Sequence, residues 1–249
     1  MQRAGDILFT LYMGMSATVM GIVLLPLAIF GANVARRAPK IWARSVLFVL
    51  RTVSGVGYRI EGDEHLPRQG ALVAANHQSI WETVALYALL PNPSFILKKE
   101  LLAIPVYGWW ARLTGNIPVD RAGGAKALRA MRRTAQARIA EGCQVVVFPE
   151  GTRTAPGAIK PFHPGVAGIY ASVDAPCAPV AHDSGRFWRH PGIEKRPGVI
   201  TLRFLPPIAP GLDRRAFLTT LEDRIKRARP DLAAGERVAA EPLEAVRHG

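Results

Sequence analysis

Ala71-Leu72-Val73-Ala74-Ala75-Asn76-His77-Gln78-Ser79-Ile80-Trp81-Glu82 is an apolar run that stops at a polar turn. Its first five residues read as a short buried strand. Thr83 to Leu90 continue as an apolar helix, ended by Pro91 and Pro93. A strand feeding a helix presents its junction to a cleft, and this junction carries a histidine. Five positions on an α-helix rotate by about 140°, so His77 and Glu82 share no helical face. They meet only if His77 lies in the loop and Glu82 on the first turn of the helix. The carboxylate then accepts from one ring nitrogen and leaves the other as a base. A second reading competes with this one. Ser79-x-x-Glu82 is a capping box, in which Glu82 is structural and His77 is one more junction residue.

Outward from this stretch, strand and helix signals alternate. Tyr58 to Gly62 reads as a first strand, Ser94 to Lys99 as another, and Ile117 to Arg121 as a short extended piece. Ala122 to Glu141 is a basic helix carrying Lys126, Arg129, Arg132, Arg133 and Arg138. Gln144 to Phe148, Ala178 to Ala181 and Val199 to Leu205 are further strands, with a short helix at 163–173 and a longer one from Asp213 to Arg229. The alternation predicts one α/β domain with a central mixed sheet flanked by helices, over residues 58–229. Residues 230–249 read as a poorly ordered tail.

The chain has 249 residues, 49% hydrophobic and 20% charged, with a net charge of +13. That composition excludes disorder and calls for an anionic partner. Residues 1–57 indicate which. Nothing between Ile7 and Ala35 is charged, and Ile7 to Phe30 is apolar enough to cross a bilayer. Residues 38–57 read as an amphipathic helix lying on the membrane surface and forming a hairpin with the first; an ordinary core helix is the alternative. Arg36, Arg37, Lys40, Arg44 and Arg51 follow the apolar segment, which places the bulk of the chain on the cytoplasmic side of the membrane. A nucleic-acid partner does not account for the apolar start. Cys143 and Cys177 form no CxxC, and the six histidines show no HExxH, so no disulfide framework or metal is expected. No GxSxG occurs, so a covalent intermediate on a serine of that kind is not expected.

Three more polar turns follow strands. Phe148-Pro149-Glu150-Gly151-Thr152-Arg153 ends in a guanidinium suited to phosphate oxygens. Gly115-Asn116-Ile117-Pro118-Val119-Asp120-Arg121 offers a second arginine, or simply Asp120 as a helix cap. Ala178-Pro179-Val180-Ala181-His182-Asp183-Ser184-Gly185 is the third, and Lys98-Lys99 adds charge at another strand end.

Taken in order, His77-x4-Glu82, Val119-Asp120-Arg121, Pro149-Glu150-Gly151-Thr152-Arg153 and Pro179-Val180 resemble the lysophospholipid acyltransferase family. The likeness runs from Tyr58 to about Pro207. It implies a glycerol-3-phosphate acyltransferase-like fold with His77 and Glu82 catalytic. Glu82 stands where most members have aspartate. Lys98, Lys99, Arg121, Glu150, Gly151, Thr152 and Arg153 are then expected to bind substrate. The implied reaction moves an acyl group from acyl-CoA or acyl carrier protein to the sn-2 hydroxyl of 1-acylglycerol-3-phosphate, with no cofactor. Another lyso-lipid acceptor, such as a lyso-ornithine lipid, is the alternative within enzymes. A basic membrane-surface module without turnover is the alternative outside them.

Overall fold

Helix α1 (Gln2–Val23) is built from the apolar start, and a 3-10 turn, Leu25–Phe30, follows it around Pro26. A one-turn helix α2 (Ala32–Ala35) leads into α3 (Arg37–Ser54). Ala43, Val46, Leu47 and Leu50 recur along α3 at the spacing of one helical face, and all are buried. Gly55 stops the helix in the left-handed region at φ 66°, its N–H bonded to Leu50 O. The chain then alternates: β1 (Val56–Glu61), β2 (Ala71–Ala75), α4 (Trp81–Leu89), β3 (Pro93–Lys98), α5 (Tyr107–Leu113), β4 (Ile117–Val119), α6 (Gly124–Ala140), β5 (Gln144–Val147), α7 (Gly165–Tyr170), β6 (Cys177–His182), β7 (Gly198–Phe204) and α8 (Arg214–Ala228). The structure is a computed structural model. It describes residues 2–189 and 191–232, and of Leu27, Ala28, Ala32, Asn33 and Arg121 the backbone alone.

Among the described residues the strands form one seven-stranded sheet in the order β1-β7-β6-β2-β5-β3-β4. All pairs are parallel except β6 with β7, which makes the sheet mixed as expected. Strand alternation divides the core in two. Val73, Ala75 and Val146 face α1, α3 and α4. Leu72, Ala74, Val145 and Val147 face α6, α7 and α8. Helices on both faces bury the central strands completely, which is why they read as continuous apolar runs.

Two expectations change here. The apolar face of α3 meets the sheet and α4 rather than lipid, so α3 is a core helix. Phe9, Val46 and Leu50 share one cluster with Val73 and Trp81. The order also continues past residue 229, because Pro230–Leu232 is a 3-10 turn.

Helix α1 is the one described helix long and apolar enough to cross a membrane. Both of its ends are nevertheless held by the α/β core. Near its start, Lys195 Nζ donates to Thr10 Oγ1 at 3.0 Å and sits 4.6 Å and 5.0 Å from the ring centres of Phe9 and Trp188. Near its end, Trp110 Nε1 donates to Gly21 O at 2.8 Å. A Cβ on Gly21 would lie 2.1 Å from Val106 Cγ1, so only glycine permits this approach. The opposite face exposes Leu8, Leu11, Met15, Val19 and Ile22.

Candidate active site

β2 ends at Ala75, and the next residues turn over the carboxyl ends of its neighbours. Asn76 holds the turn to β6, with Nδ2 donating to His182 O at 3.0 Å and Oδ1 accepting from His182 N at 2.9 Å. His77 lies in the loop and Glu82 is the second residue of α4, as their spacing required. His77 Nδ1 and Glu82 Oε1 are 2.7 Å apart. The imidazole stacks on Phe148, with ring centres 4.1 Å apart and planes at 13°. Nε2 has no hydrogen-bond partner among the described residues.

Glu82 is fully buried and accepts from an unusual number of donors. The N–H groups of Gln78 and Ser79 both reach Oε1 at 2.8 Å, beside the imidazole. Oε2 lies 2.7 Å from the hydroxyls of Ser79 and Ser184, which are 2.8 Å from each other. Burial opposes ionisation, but the hydrogen bonds that the carboxylate accepts from His77 and Ser184 outweigh it. The carboxyl is held well below the usual carboxylate range. An ionised acceptor at Nδ1 puts the ring proton there and leaves Nε2 as the lone-pair nitrogen.

The capping box and the histidine-orienting carboxylate are thus the same group. Glu82 accepts from Ser79 N as one half of a capping box requires, and in place of the other half Ser79 Oγ accepts from Trp81 N at 3.0 Å rather than from Glu82 N. The same oxygen, Oε1, orients His77.

The loop after β5 packs directly against this turn. Thr154 N donates to His77 O at 2.8 Å, and the Thr154 hydroxyl lies 3.1 Å from the same oxygen. Glu150 is buried and accepts from that hydroxyl at 2.6 Å, so it shapes the loop. Burial raises its pKa. Gly151 stands at φ 67°, where a Cβ would fall 2.7 Å from His163 Cδ2. Thr152 is exposed, and Arg153 Nε donates to Ser79 O at 3.2 Å.

Parallel pairing of β3 with β5 and β4 carries Lys98, Lys99 and Arg121 to the same edge of the sheet. Lys98 is exposed at the end of β3. Lys99 forms an ion pair with Asp120, which also caps the turn at Arg121 by accepting from Ala122 N at 3.0 Å. The side chain of Arg121 lies outside the described residues.

His182 and Asp183 are scaffold. His182 Nε2 is 2.6 Å from Asn76 O, and Ser184 N donates to Nδ1 at 3.3 Å, which makes the ring neutral with its proton on Nε2. Burial keeps its basicity low. Asp183 accepts from Thr201 N at 2.9 Å, and burial raises its pKa to about 6. Both cysteines are buried, and burial pushes their thiols up, which makes them poor nucleophiles.

Beside the site lies an apolar cavity of about 390 Å³, lined among others by Gly21, Trp42, Ile80, Thr83, Tyr87 and Trp110. Ile80 and Thr83 flank Trp81 and Glu82, so the cavity and the histidine share the start of α4.

Known proteins place this arrangement. The Acyltransferase family model matches residues 57–183. The 1-acyl-sn-glycerol-3-phosphate acyltransferase of Pseudomonas aeruginosa is 32% identical over 80% of this chain and 78% of its own. The mouse 1-acyl-sn-glycerol-3-phosphate acyltransferase alpha is 31% identical over 67% of this chain and 60% of its own. The crystal structure of the 1-acyl-sn-glycerophosphate acyltransferase PlsC from Thermotoga maritima covers 95% of this chain and 100% of its own. It superposes with a TM-score of 0.77 at 24% identity, which speaks for the fold. The His77–Glu82 turn and the Glu150–Arg153 loop lie inside the matched region, and the chain belongs to the acyltransferase family.

Proposed function

We propose that this protein transfers a fatty acyl group from a thioester to the free hydroxyl of 1-acylglycerol-3-phosphate, giving phosphatidic acid. His77 is the general base, with its Nε2 taking the hydroxyl proton as the oxygen attacks the thioester carbonyl. The carbon–sulfur bond then breaks, and the proton on the imidazole is available to the leaving thiolate. Glu82 holds the tautomer and stabilises the imidazolium. The observation that carries this reading is the 2.7 Å contact between His77 Nδ1 and a buried carboxylate, with Nε2 left unpartnered among the described residues. The apolar cavity receives the acyl chain of one substrate.

Acceptor choice is tested with the purified protein in detergent. It receives lysophosphatidic acid, lysophosphatidylglycerol or a lyso-ornithine lipid, each with acyl-CoA and with acyl carrier protein. Phosphatidic acid is expected as the fastest-formed product. Faster acylation of an acceptor without a terminal phosphate would replace the reading.

Arg153 binds the acceptor's phosphate, with Arg121 and Lys98 as further cations. Arg153→Ala is expected to raise the acceptor's KM by about tenfold or more while the donor's changes little. Equal changes in both would mark Arg153 as structural. Arg153→Lys recovers part of the loss, because a point charge replaces a bidentate fork.

The protein works on the cytoplasmic face of the inner membrane, with α1 lying in one leaflet. Spanning is disfavoured because both ends of α1 are fastened to the α/β core, which would have to enter the hydrocarbon with it. Deleting residues 1–57 is a poor test, since it strips Val46 and Leu50 from the core. The exposed stripe is the better target. Leu8→Glu, Leu11→Glu and Met15→Glu together are expected to release the folded protein from anionic vesicles in a sedimentation assay. Undiminished binding by the triple variant would move the membrane contact elsewhere. The basic face of α6 is on the far side of the sheet from α1.

A further inference from the structure

Residues beyond α8 reach back to the catalytic turn. Arg229 and Asp231 form an ion pair almost wholly removed from solvent, at 2.6 Å between Nη2 and Oδ2 and 3.1 Å between Nε and Oδ1. A buried pair carries a desolvation cost that fastening a chain end does not require. What surrounds it is informative. Asp231 Oδ2 also accepts from Gln78 Nε2 and from Gly157 N, each at 2.8 Å, and Arg229 Nη1 donates to Ala158 O at 3.0 Å. Gln78 follows His77 directly, and its N–H is one of the donors that fix Glu82. The other end of its amide, Oε1, accepts from Gly185 N at 3.0 Å, next to the Ser184 whose hydroxyl also contacts Glu82.

Loops after β2 and β5 therefore converge on one carboxylate supplied from beyond α8, and the loop after β6 joins them through the Gln78 amide. With both ends of the Gln78 amide engaged, neither rotation nor flip is available to it. We propose that the Arg229–Asp231 pair is a positioning element of the acyltransferase site, holding the His77–Glu82 turn in register through Gln78. This rests on the acyltransferase reading above. Loss of the pair frees Gln78 and the Ser184–Gly185 turn, and the imidazole then samples orientations in which Nε2 misses the acceptor hydroxyl.

The test is a double-mutant cycle on the full chain. Asp231→Asn cannot satisfy the donors now facing Oδ1 and Oδ2 in either amide orientation. It is expected to lower kcat by about 10–100-fold, as misplacement of about 1 Å does, with both KM values nearly unchanged. Gln78→Glu sets two carboxylates against each other and should cost at least as much. Gln78→Leu breaks the same link from the other side, so adding Asp231→Asn to it is expected to lower kcat little further. Hydrogen exchange gives a reading independent of turnover: peptides covering residues 76–80 are expected to exchange faster in Asp231→Asn and in Gln78→Leu.

A purely structural role predicts a lowered Tm with kcat intact below it, or losses of kcat that add in the double variant. Either result overturns the proposal. If Asp231→Asn does not fold, Gln78→Leu removes the same bond while Asp231 keeps Arg229, and the same loss of kcat is expected. Wild-type protein that acylates no lyso-lipid would instead refute the functional reading on which this one stands.

Discussion

His77→Ala is expected to lower kcat by about 10²–10⁴-fold, the usual contribution of a general base, without unfolding the protein. The fold survives because Glu82 keeps the N–H groups of Gln78 and Ser79 and the hydroxyls of Ser79 and Ser184 around its carboxylate. The lost packing is one face of Phe148, against which the imidazole stacks. Tm should therefore fall only slightly while acyl transfer at saturating substrates collapses. Circular dichroism and a steady-state assay on one preparation check both halves. A folded His77→Ala protein with near-normal kcat would exclude His77 as the base.

Glu82→Gln is the second large effect, and it separates charge from shape. Glutamine preserves length and can place its carbonyl oxygen where Oε1 accepts from Nδ1 of His77 and from two backbone N–H groups. Its amide nitrogen then donates to the hydroxyl oxygens of Ser79 and Ser184, which reorient. Helix α4 keeps its cap, so Tm changes little. Charge is what disappears. A neutral amide stabilises the imidazolium poorly, and kcat is expected to drop by about 10²–10⁴-fold. Glu82→Asp retains the charge but withdraws the carboxylate by about 1.5 Å, one carbon–carbon bond. It is expected to be more active than Glu82→Gln. Full activity in Glu82→Gln would mean that the group is only a cap.

The sheet was legible because its central strands are buried on both faces. Ala71–Ala75 and Gln144–Val147 needed no partner to be recognised as strands. The His77–Glu82 contact was legible because it is local: five residues and one helix start determine it. Helix α3 was misread for a physical reason. Amphipathic spacing reports that a face is apolar, and lipid and protein core satisfy it equally. Only the contacts of Val46 and Leu50 with the sheet distinguish the two. The rest of the site is held by long-range bonds that leave no local mark. Ser184 meets Glu82 across 102 positions, and Asp231 meets Gln78 across 153. Pro230 after a helix reads as the start of a tail, and the groups that order it come from loops far away in the chain. Phe148 had a weak signal: it is an aromatic residue at the end of an apolar strand, directly before Pro149. Thr154, one position past the quoted motif, had none.

Direct transfer by His77 is tested most sharply in a single turnover followed by intact-protein mass spectrometry. The purified enzyme is mixed with excess thioester donor, first without acceptor and then with less lysophosphatidic acid than enzyme. If His77 activates the acceptor hydroxyl, the protein mass stays unchanged in both arms. Phosphatidic acid appears only when lysophosphatidic acid is present, and its formation slows by the same factor as kcat in His77→Ala. An acyl adduct that forms on the protein without acceptor, and is then discharged at the rate of turnover, would contradict direct transfer.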